Sequence, residues 1–146
     1  TFYKLDNSFL RYQPAELAQE HELPSIHSLA SSYLHAPYLW GGKTIYGIDC
    51  SGFTQTVFKI AGITLKRDAS QQVKQGELVE FENIQENDLA FFSNVKGKVI
   101  HVGILLNDLT IIHASGKVRI DELNQKGIFN KESNSITHTL HSIRRF

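Results

Sequence analysis

The sequence predicts an α+β domain, in which helices near the start of the chain pack against an antiparallel sheet formed by the rest. Two patterns carry this prediction. Apolar residues recur at helical spacing between residues 25 and 62, and short β-branched segments follow from residue 89 onward. With 146 residues, 41% of them hydrophobic and 21% charged, the chain has the size and composition of one globular domain.

The first predicted helix starts after Ser25, whose hydroxyl can cap the N-terminus, and stops before Pro37. Its core-facing positions are Ile26, Leu29, Ala30, Tyr33 and Leu34. We expect residues 25–146 to form the domain. Residues 1–24 are interpreted as a linker or the tail of a preceding module, with a short helix between Pro14 and Pro24.

A loop at residues 38–42 leads to the second predicted helix, which begins near Asp49 and ends at Gly62. This boundary puts Cys50 in the first helical turn. The apolar face of the helix consists of Phe53, Val57, Ile60 and Ala61. Strands are then predicted at 89–92, 99–106 and 110–114, with weaker candidates at 118–120 and 139–144.

Net charge and hydropathy exclude several classes of binding partner. The 15 basic and 15 acidic side chains cancel, which leaves no electrostatic footprint for nucleic acid or an anionic membrane surface. No apolar stretch approaches the roughly 20 residues that a membrane span requires. The single cysteine cannot form an internal disulfide. The expected partner is therefore a small or peptidic molecule.

Cys50 is the first candidate for chemistry. A thiol in the first turn of a helix lies at the positive end of the peptide dipoles, which favours the thiolate that a nucleophile needs. The alternative is a buried structural thiol, since free cysteine is among the most buried residue types. The polar neighbours Asp49 and Ser51 favour the functional interpretation.

Two histidines differ from the others because they lie within apolar strands. His101 and His113 have β-branched neighbours, so their ring nitrogens need buried hydrogen-bond partners. The remaining histidines are interpreted as solvated surface residues: His21, His27, His35, His138 and His141.

The register of the predicted hairpin decides whether the two rings meet. A three-residue loop at 107–109 pairs Gly103 with His113 and directs both imidazoles to one face, whereas a two-residue loop directs them to opposite faces. Joint action of the rings requires the shared face. We therefore predict an odd-length loop or a bulge.

These three residues meet the requirements of thiol catalysis, with Cys50 as nucleophile, His101 as base and His113 as the group that orients the base. Zinc bound by the same thiolate and imidazoles is the alternative. The paired-cysteine spacing of structural zinc sites is missing, so no metal or cofactor is expected.

Several segments together resemble the NlpC/P60 family of bacterial cell-wall cysteine peptidases. They are YLWGG at 38–42, GIDCSGF at 47–53, RDASQQ at 67–72, DLAFF at 88–92, HVGI at 101–104 and IHAS at 112–115. The resemblance spans about residues 26–146, and the block around Cys50 is its most specific part. One departure is Asn87, where the family usually has glycine.

The resemblance implies a reduced papain-like fold and hydrolysis of peptidoglycan stem peptides, typically between D-γ-glutamate and a diamino acid. It implies Cys50, His101 and His113 as the catalytic residues, with the Cys50 amide in the oxyanion hole. The substrate-binding candidates it suggests are Tyr38, Trp40, Asp49, Ser51 and Ser70. In the branch that this chain resembles, Asp49 would hold the free α-amine of an N-terminal L-alanine.

The resemblance further implies barrel modules ahead of this domain and a location in the cell envelope, with cytoplasmic muropeptide recycling as the alternative. Two other functions fit the same residues. One is a thiol-dependent amidase or acyltransferase, and the other is a non-catalytic module that binds the cell wall.

Overall fold

In a computed structural model, helices lie against a closed antiparallel sheet, and the structure describes residues 2–5, 8–11, 24–107 and 109–146. The helices within this part of the chain are α1 (Ile26–Ser31), α2 (Cys50–Ile60) and α3 (Ala69–Gln72), with a 3-10 turn at Phe81–Asn83. No helix among the described residues is both long and apolar enough to cross a membrane.

Seven strands form the main sheet in the order β10-β9-β8-β7-β6-β11-β5. They are β5 (Glu77–Val79), β6 (Leu89–Ser93), β7 (Val99–Leu105), β8 (Thr110–Ser115), β9 (Lys117–Asn124), β10 (Gly127–Asn130) and β11 (Ser135–Arg145). Because β10 pairs with both β9 and β11, six strands close into a barrel and β5 extends it beyond β11. The α+β prediction is confirmed.

Two short two-stranded sheets lie outside the barrel. The first pairs β1 (Phe2–Leu5) with β2 (Ser8–Arg11), and the second pairs β3 (Lys43–Thr44) with β4 (Gly47–Ile48). At Gly42, next to the second sheet, an added Cβ would lie 2.3 Å from the carbonyl oxygen of Gly47. The backbone therefore approaches itself closely in the loop before α2, and this approach requires glycine.

Side chains alternate between the two faces of the sheet, and each face contributes to a separate hydrophobic core. The face of the sheet toward α1 and α2 contributes Phe91, Val102, Ile104 and Ile112, which pack with Phe53 and Val57 of α2. The barrel interior contains a second cluster: Ala90, Phe92, Leu105, Ile111, Leu123, Ile128 and Ile143. His101 and His113 alternate in step with Leu105 and Ile111, so they belong to the interior face.

The hairpin between β7 and β8 has the predicted odd register. Gly103 lies opposite His113, and Leu106 hydrogen bonds across the turn to Thr110. A Cβ at Gly103 would come within 2.8 Å of the His113 Cβ, so glycine makes room for the imidazole on the neighbouring strand. The three-residue loop is confirmed, and it places both imidazoles on one face.

The helix predictions need two corrections. Ser25 caps α1 as predicted, but the helix ends at Ser31 because residues 32–35 form tight turns that leave His35 at a φ of 70°. No helix was predicted between the second helix and the first strand at 89–92, yet this stretch contains α3, which a capping box at Asp68 starts. The predicted helix between Pro14 and Pro24 lies outside the described residues.

The strand predictions hold, and the two weaker candidates are full strands, β9 and β11. The short strands β1, β2, β3, β4, β5 and β10 were missed. Asn87 has a φ of 74°, a conformation that glycine and asparagine adopt most readily, so its departure from the family pattern leaves this turn intact. The adjacent Asp88 is buried and paired with Arg145.

Candidate active site

Asp49 fixes the start of α2. Its Oδ1 accepts hydrogen bonds from the Gly52 amide at 2.6 Å and from Arg67 Nη1 at 3.0 Å. Its Oδ2 accepts from the Gly41 amide at 2.8 Å and from Arg67 Nη2. Burial acts to raise the pKa of the Asp49 carboxyl, but these hydrogen bonds together outweigh it and hold the pKa below its usual value. Asp49 is therefore a charged helix cap.

Ser51 belongs to the same network. Its hydroxyl accepts from Arg67 Nη1 at 3.0 Å and lies 3.4 Å from Asp49 Oδ1. Gln72 of α3 is fully buried, donates to the Ser51 carbonyl at 3.0 Å and accepts from Thr54 Oγ1 at 2.8 Å. Arg67 and Gln72 were missed as site residues, although both fall in the RDASQQ segment.

Cys50 is the first residue of α2 and is 8% exposed. Burial raises the pKa of its thiol, the charge of Asp49 raises it further, and the amides of Val102, Ser51 and Cys50 itself act in the opposite direction. The sequence-based expectation of a dipole-stabilised thiolate is therefore wrong for the free protein. Desolvation beside a carboxylate outweighs the helix terminus, and the resting group is a thiol.

A chain of side-chain hydrogen bonds crosses three neighbouring strands, β7, β8 and β9. His101 Nε2 lies 2.8 Å from His113 Nδ1, and His113 Nε2 lies 2.9 Å from Asp121 Oδ2. Arg119 closes the chain, with Nε 2.8 Å from Oδ2 and Nη2 3.0 Å from Oδ1 of the same carboxylate. Asp121 and Arg119 were missed as members of the site because an alternating charged strand usually marks a solvated face.

The charge of Asp121 dictates the tautomers of both rings. Burial acts to raise the pKa of the Asp121 carboxyl, but hydrogen bonds from His113 and Arg119 outweigh it and keep the pKa low. A carboxylate only accepts, so His113 carries its proton on Nε2 and accepts from His101 Nε2–H through Nδ1. His101 is left with an unprotonated Nδ1, which is the form of imidazole that can remove a proton.

Burial lowers the pKa of His101 well below its usual value, and the neighbouring His113 and His138 lower it further. His101 is 6% exposed and His113 is 1% exposed. The His101 imidazole is thus neutral at neutral pH.

His138 corrects another sequence-based interpretation. It was expected to be solvated, but its ring stacks on that of His101, with centroids 4.2 Å apart and planes inclined by 28°. It comes from β11, opposite Ile128 of the barrel interior. The sequence places it 37 residues (138 − 101) from its partner, and only barrel closure brings the two together.

A cleft of about 510 Å³ opens over Cys50. The candidate substrate residues all line it: Tyr38, Trp40, Asp49, Ser51 and Ser70. Tyr38 is 37% exposed, and burial together with the charges of Cys50 and Asp49 raises the pKa of its phenol. Trp40 is 86% exposed, which excludes the interpretation of this residue as a core side chain.

The far wall of the cleft contains Val99 and Ile100, immediately before His101 on β7. Lys98 and Asp68 are exposed charged residues that also line it. The nucleophile candidate therefore lines the cleft, and the base candidate directly follows a residue that lines it.

Metal binding by Cys50, His101 and His113 conflicts with this geometry. The two imidazoles direct nitrogens at each other, and the remaining His113 nitrogen is bonded to Asp121. Across the described residues, no group of three or more His, Cys, Asp or Glu side chains is arranged to hold a metal ion.

Comparisons with known proteins agree with this geometry. The profile of the NlpC/P60 family matches residues 35–137. A gamma-D-glutamyl-L-lysine dipeptidyl-peptidase of Bacillus cereus is 36% identical over 132 residues, covering 87% of this chain and 37% of that protein. A gamma-DL-glutamyl hydrolase of Bacillus subtilis is 43% identical over 101 residues, covering 66% of this chain and 24% of that protein.

The crystal structure of an NlpC/P60 family protein from Bacillus cereus superimposes with a TM-score of 0.70 at 33% identity, covering 85% of this chain and 41% of the other. The chain therefore belongs to the NlpC/P60 family. Its helices and antiparallel barrel match the reduced papain-like fold of that family, as predicted. It spans 24% to 37% of the length of the two relatives described above.

Proposed function

We propose that this domain is a cysteine peptidase that hydrolyses peptidoglycan stem peptides, with Cys50 as nucleophile, His101 as general base and His113 as its orienting partner. The observation that carries the proposal is the hydrogen-bonded chain from His101 through His113 to Asp121, which ends beside a cleft floored by a cysteine at a helix start. Family membership supports the same assignment.

Acylation begins when Cys50 Sγ attacks the scissile carbonyl carbon and its proton passes to Nδ1 of His101. His113 and the Asp121 carboxylate stabilise the imidazolium that forms. The backbone amide of Cys50, at the start of α2, donates to the oxyanion. When the tetrahedral intermediate collapses, the C–N bond breaks, and the departing amine takes the proton from His101 to leave a thioester.

Deacylation repeats these steps with water. His101 Nδ1 removes a proton from a water molecule whose oxygen attacks the thioester carbonyl. Collapse of this second intermediate breaks the C–S bond, releases the carboxylic acid and returns the proton to Cys50. No cofactor takes part in the proposed reaction.

The bond we propose lies between D-γ-glutamate and the diamino acid of the stem. Two relatives act on γ-glutamyl linkages according to their names, the dipeptidyl-peptidase of Bacillus cereus and the hydrolase of Bacillus subtilis. Such a substrate belongs to the cell envelope, which is the location we propose for this protein. We also propose that barrel modules precede this domain in the full protein.

Mass spectrometry of purified muropeptides after incubation with the protein tests the function. We expect products cut between D-γ-glutamate and the diamino acid. Release of the acyl group from esters with stems left intact would instead indicate the acyltransferase. Wall binding without any new product would indicate the non-catalytic module.

The pKa directions predict an unusual pH profile for a thiol enzyme. Because His101 titrates well below 6.5, its neutral form persists as pH falls, and kcat/KM should decline only below that value. Because the Cys50 pKa is raised above 9.0, alkylation by iodoacetamide should keep rising from about pH 6 to about pH 9. A flat alkylation rate across that range would show a preformed thiolate–imidazolium pair and contradict a resting state with a neutral thiol and a neutral imidazole.

Asp49 is also proposed to recognise the free α-amine of an N-terminal L-alanine. The carboxylate is charged, lines the cleft and adjoins Cys50. Four donors from Gly52, Gly41 and Arg67 already bond to it, so capping alone would explain its position. A charge-assisted contact to an ammonium group contributes about 1.5 to 3 kcal/mol, or roughly ten- to a hundredfold in specificity.

The test compares kcat/KM on L-Ala-γ-D-Glu-diaminopimelate with its amine free and with it acetylated. We expect the free amine to be preferred, and Asp49→Asn to remove that preference. Asp68→Asn is the matched control, since Asp68 is an exposed carboxylate of the same cleft. Equal rates on both substrates in the wild type would leave Asp49 as a helix cap only.

A further inference from the structure

His138 covers one face of the His101 imidazole. The two rings lie 4.2 Å apart at 28°, whereas His138 meets His113 edge to face at 5.6 Å and Phe92 edge to face at 6.1 Å. Its own Nδ1 lies 2.9 Å from the Thr137 hydroxyl, which holds the ring from its other side. His138 therefore touches the candidate base without sharing a hydrogen bond with it.

The hydrogen bond to His113 alone does not fix the rotation of the His101 ring about its Cβ–Cγ bond. The bond to His113 is made at Nε2, which lies closer to the Cβ–Cγ axis than Nδ1 does. Rotation about that axis therefore moves Nδ1 further than Nε2, the atom that bonds to His113. Nδ1 is the atom that must face the thiol. A ring stacked flat against the imidazole face resists this rotation, because turning either way drives the rings into contact.

We propose that His138 is a positioning residue for His101, which fixes the rotation of the imidazole and shields its face from water. This inference rests on the proposed function of His101 as the base. A side chain in this positioning role must be flat, half-buried and uncharged during turnover. His138 fits, since it presents an aromatic face and is only partly exposed.

The charge state of His138 agrees with this role. Burial lowers its pKa to about 4, the nearby His113 lowers it further, and the Asp121 carboxylate acts in the opposite direction. The other titratable group that acts on His101 is His113 on β8. His138 is thus neutral at neutral pH, where it adds no repulsion when His101 takes up the thiol proton.

Three variants test the proposal. His138→Ala removes the stacked ring, His138→Phe keeps an aromatic face without titrating, and His141→Ala is the matched control on the same strand. His141 is exposed and hydrogen bonds to the adjacent Ser142. We expect His138→Ala to lower kcat about tenfold with KM little changed, since a misplaced reacting group can cost up to about a hundredfold in rate. His138→Phe and His141→Ala should stay near wild type.

A second readout does not depend on activity. Long-range ¹H–¹⁵N NMR of the imidazoles reports the pKa and tautomer of His101. Uncovering the ring in His138→Ala should raise the His101 pKa toward 6.5, and His138→Phe should leave it low. If no muropeptide is cut but these shifts appear, the proposed function fails while the positioning role stands.

Two outcomes would overturn the positioning role. One is a His138→Ala protein with reduced thermal stability but unchanged kcat and unchanged His101 titration, which would make His138 a packing residue only. The other is a His138→Phe protein as impaired as His138→Ala, which would show that the flat aromatic face is not what the site uses.

Discussion

Replacing Cys50 with alanine is expected to abolish hydrolysis of muropeptides, and replacing His101 is expected to do the same. Loss of either member of a nucleophile–base pair removes about a thousandfold or more of the rate, because the two act as a unit. Initial rates of product formation by mass spectrometry measure the effect. Turnover near wild type in either variant would refute the mechanism.

Folding has to be checked separately for the two variants. Cys50 is small, and its replacement by alanine should leave the melting temperature close to that of the wild type. His101→Ala deletes a buried ring and leaves His113 Nδ1 without its donor, a change that costs about 1–3 kcal/mol. His101→Gln keeps a polar side chain at the site, so loss of activity in that protein while it remains folded isolates the chemical role.

The second large effect concerns Asp121. Asp121→Ala removes the acceptor that fixes the tautomers of His113 and His101, and it leaves the Arg119 guanidinium with only the more distant Glu132 carboxylate. We expect kcat/KM to fall about ten- to a hundredfold, the usual cost of losing a group that orients an active residue. Asp121→Asn should lose less, because its amide oxygen can still accept from His113 Nε2.

Glu122→Gln is the control for this experiment. Glu122 is the next carboxylate on β9, and it forms an exposed ion pair with Lys131. Its loss should leave kcat/KM unchanged, since exposed pairs contribute little. An Asp121→Ala protein that cuts as fast as the wild type would show that the carboxylate takes no part in orienting the base.

Much of this site could be predicted from the sequence, because short-range sequence patterns determine it. Ser25 and Asp49 cap helices as their residue types predict, and the length of the loop after β7 correctly set the shared face of His101 and His113. These features depend on neighbours within a few residues along the chain or on one hairpin register.

The rest depends on contacts between distant segments. Asp121 and His138 were missed because their strands show mixed polar patterns, and their roles arise only when β9 and β11 take their places in the barrel. The thiol pKa was misjudged for a related reason. The helix start and the neighbouring Asp49 are visible in the sequence, but the burial that raises the thiol pKa most is not.

The closure of the barrel by β11 links the chemistry of the site to the order in which the chain folds. This strand follows every other barrel strand in the sequence, yet it pairs with β5, β6 and β10. Its pairings with the distant β5 and β6 form late, because the entropy of closing the intervening chain must be overcome first. The hydrogen bonds within the helix that carries Cys50 are local, and they can form early. A partly folded chain would therefore expose a cysteine whose base is not yet held in place, and reactivity would arise only when the last ladder is complete.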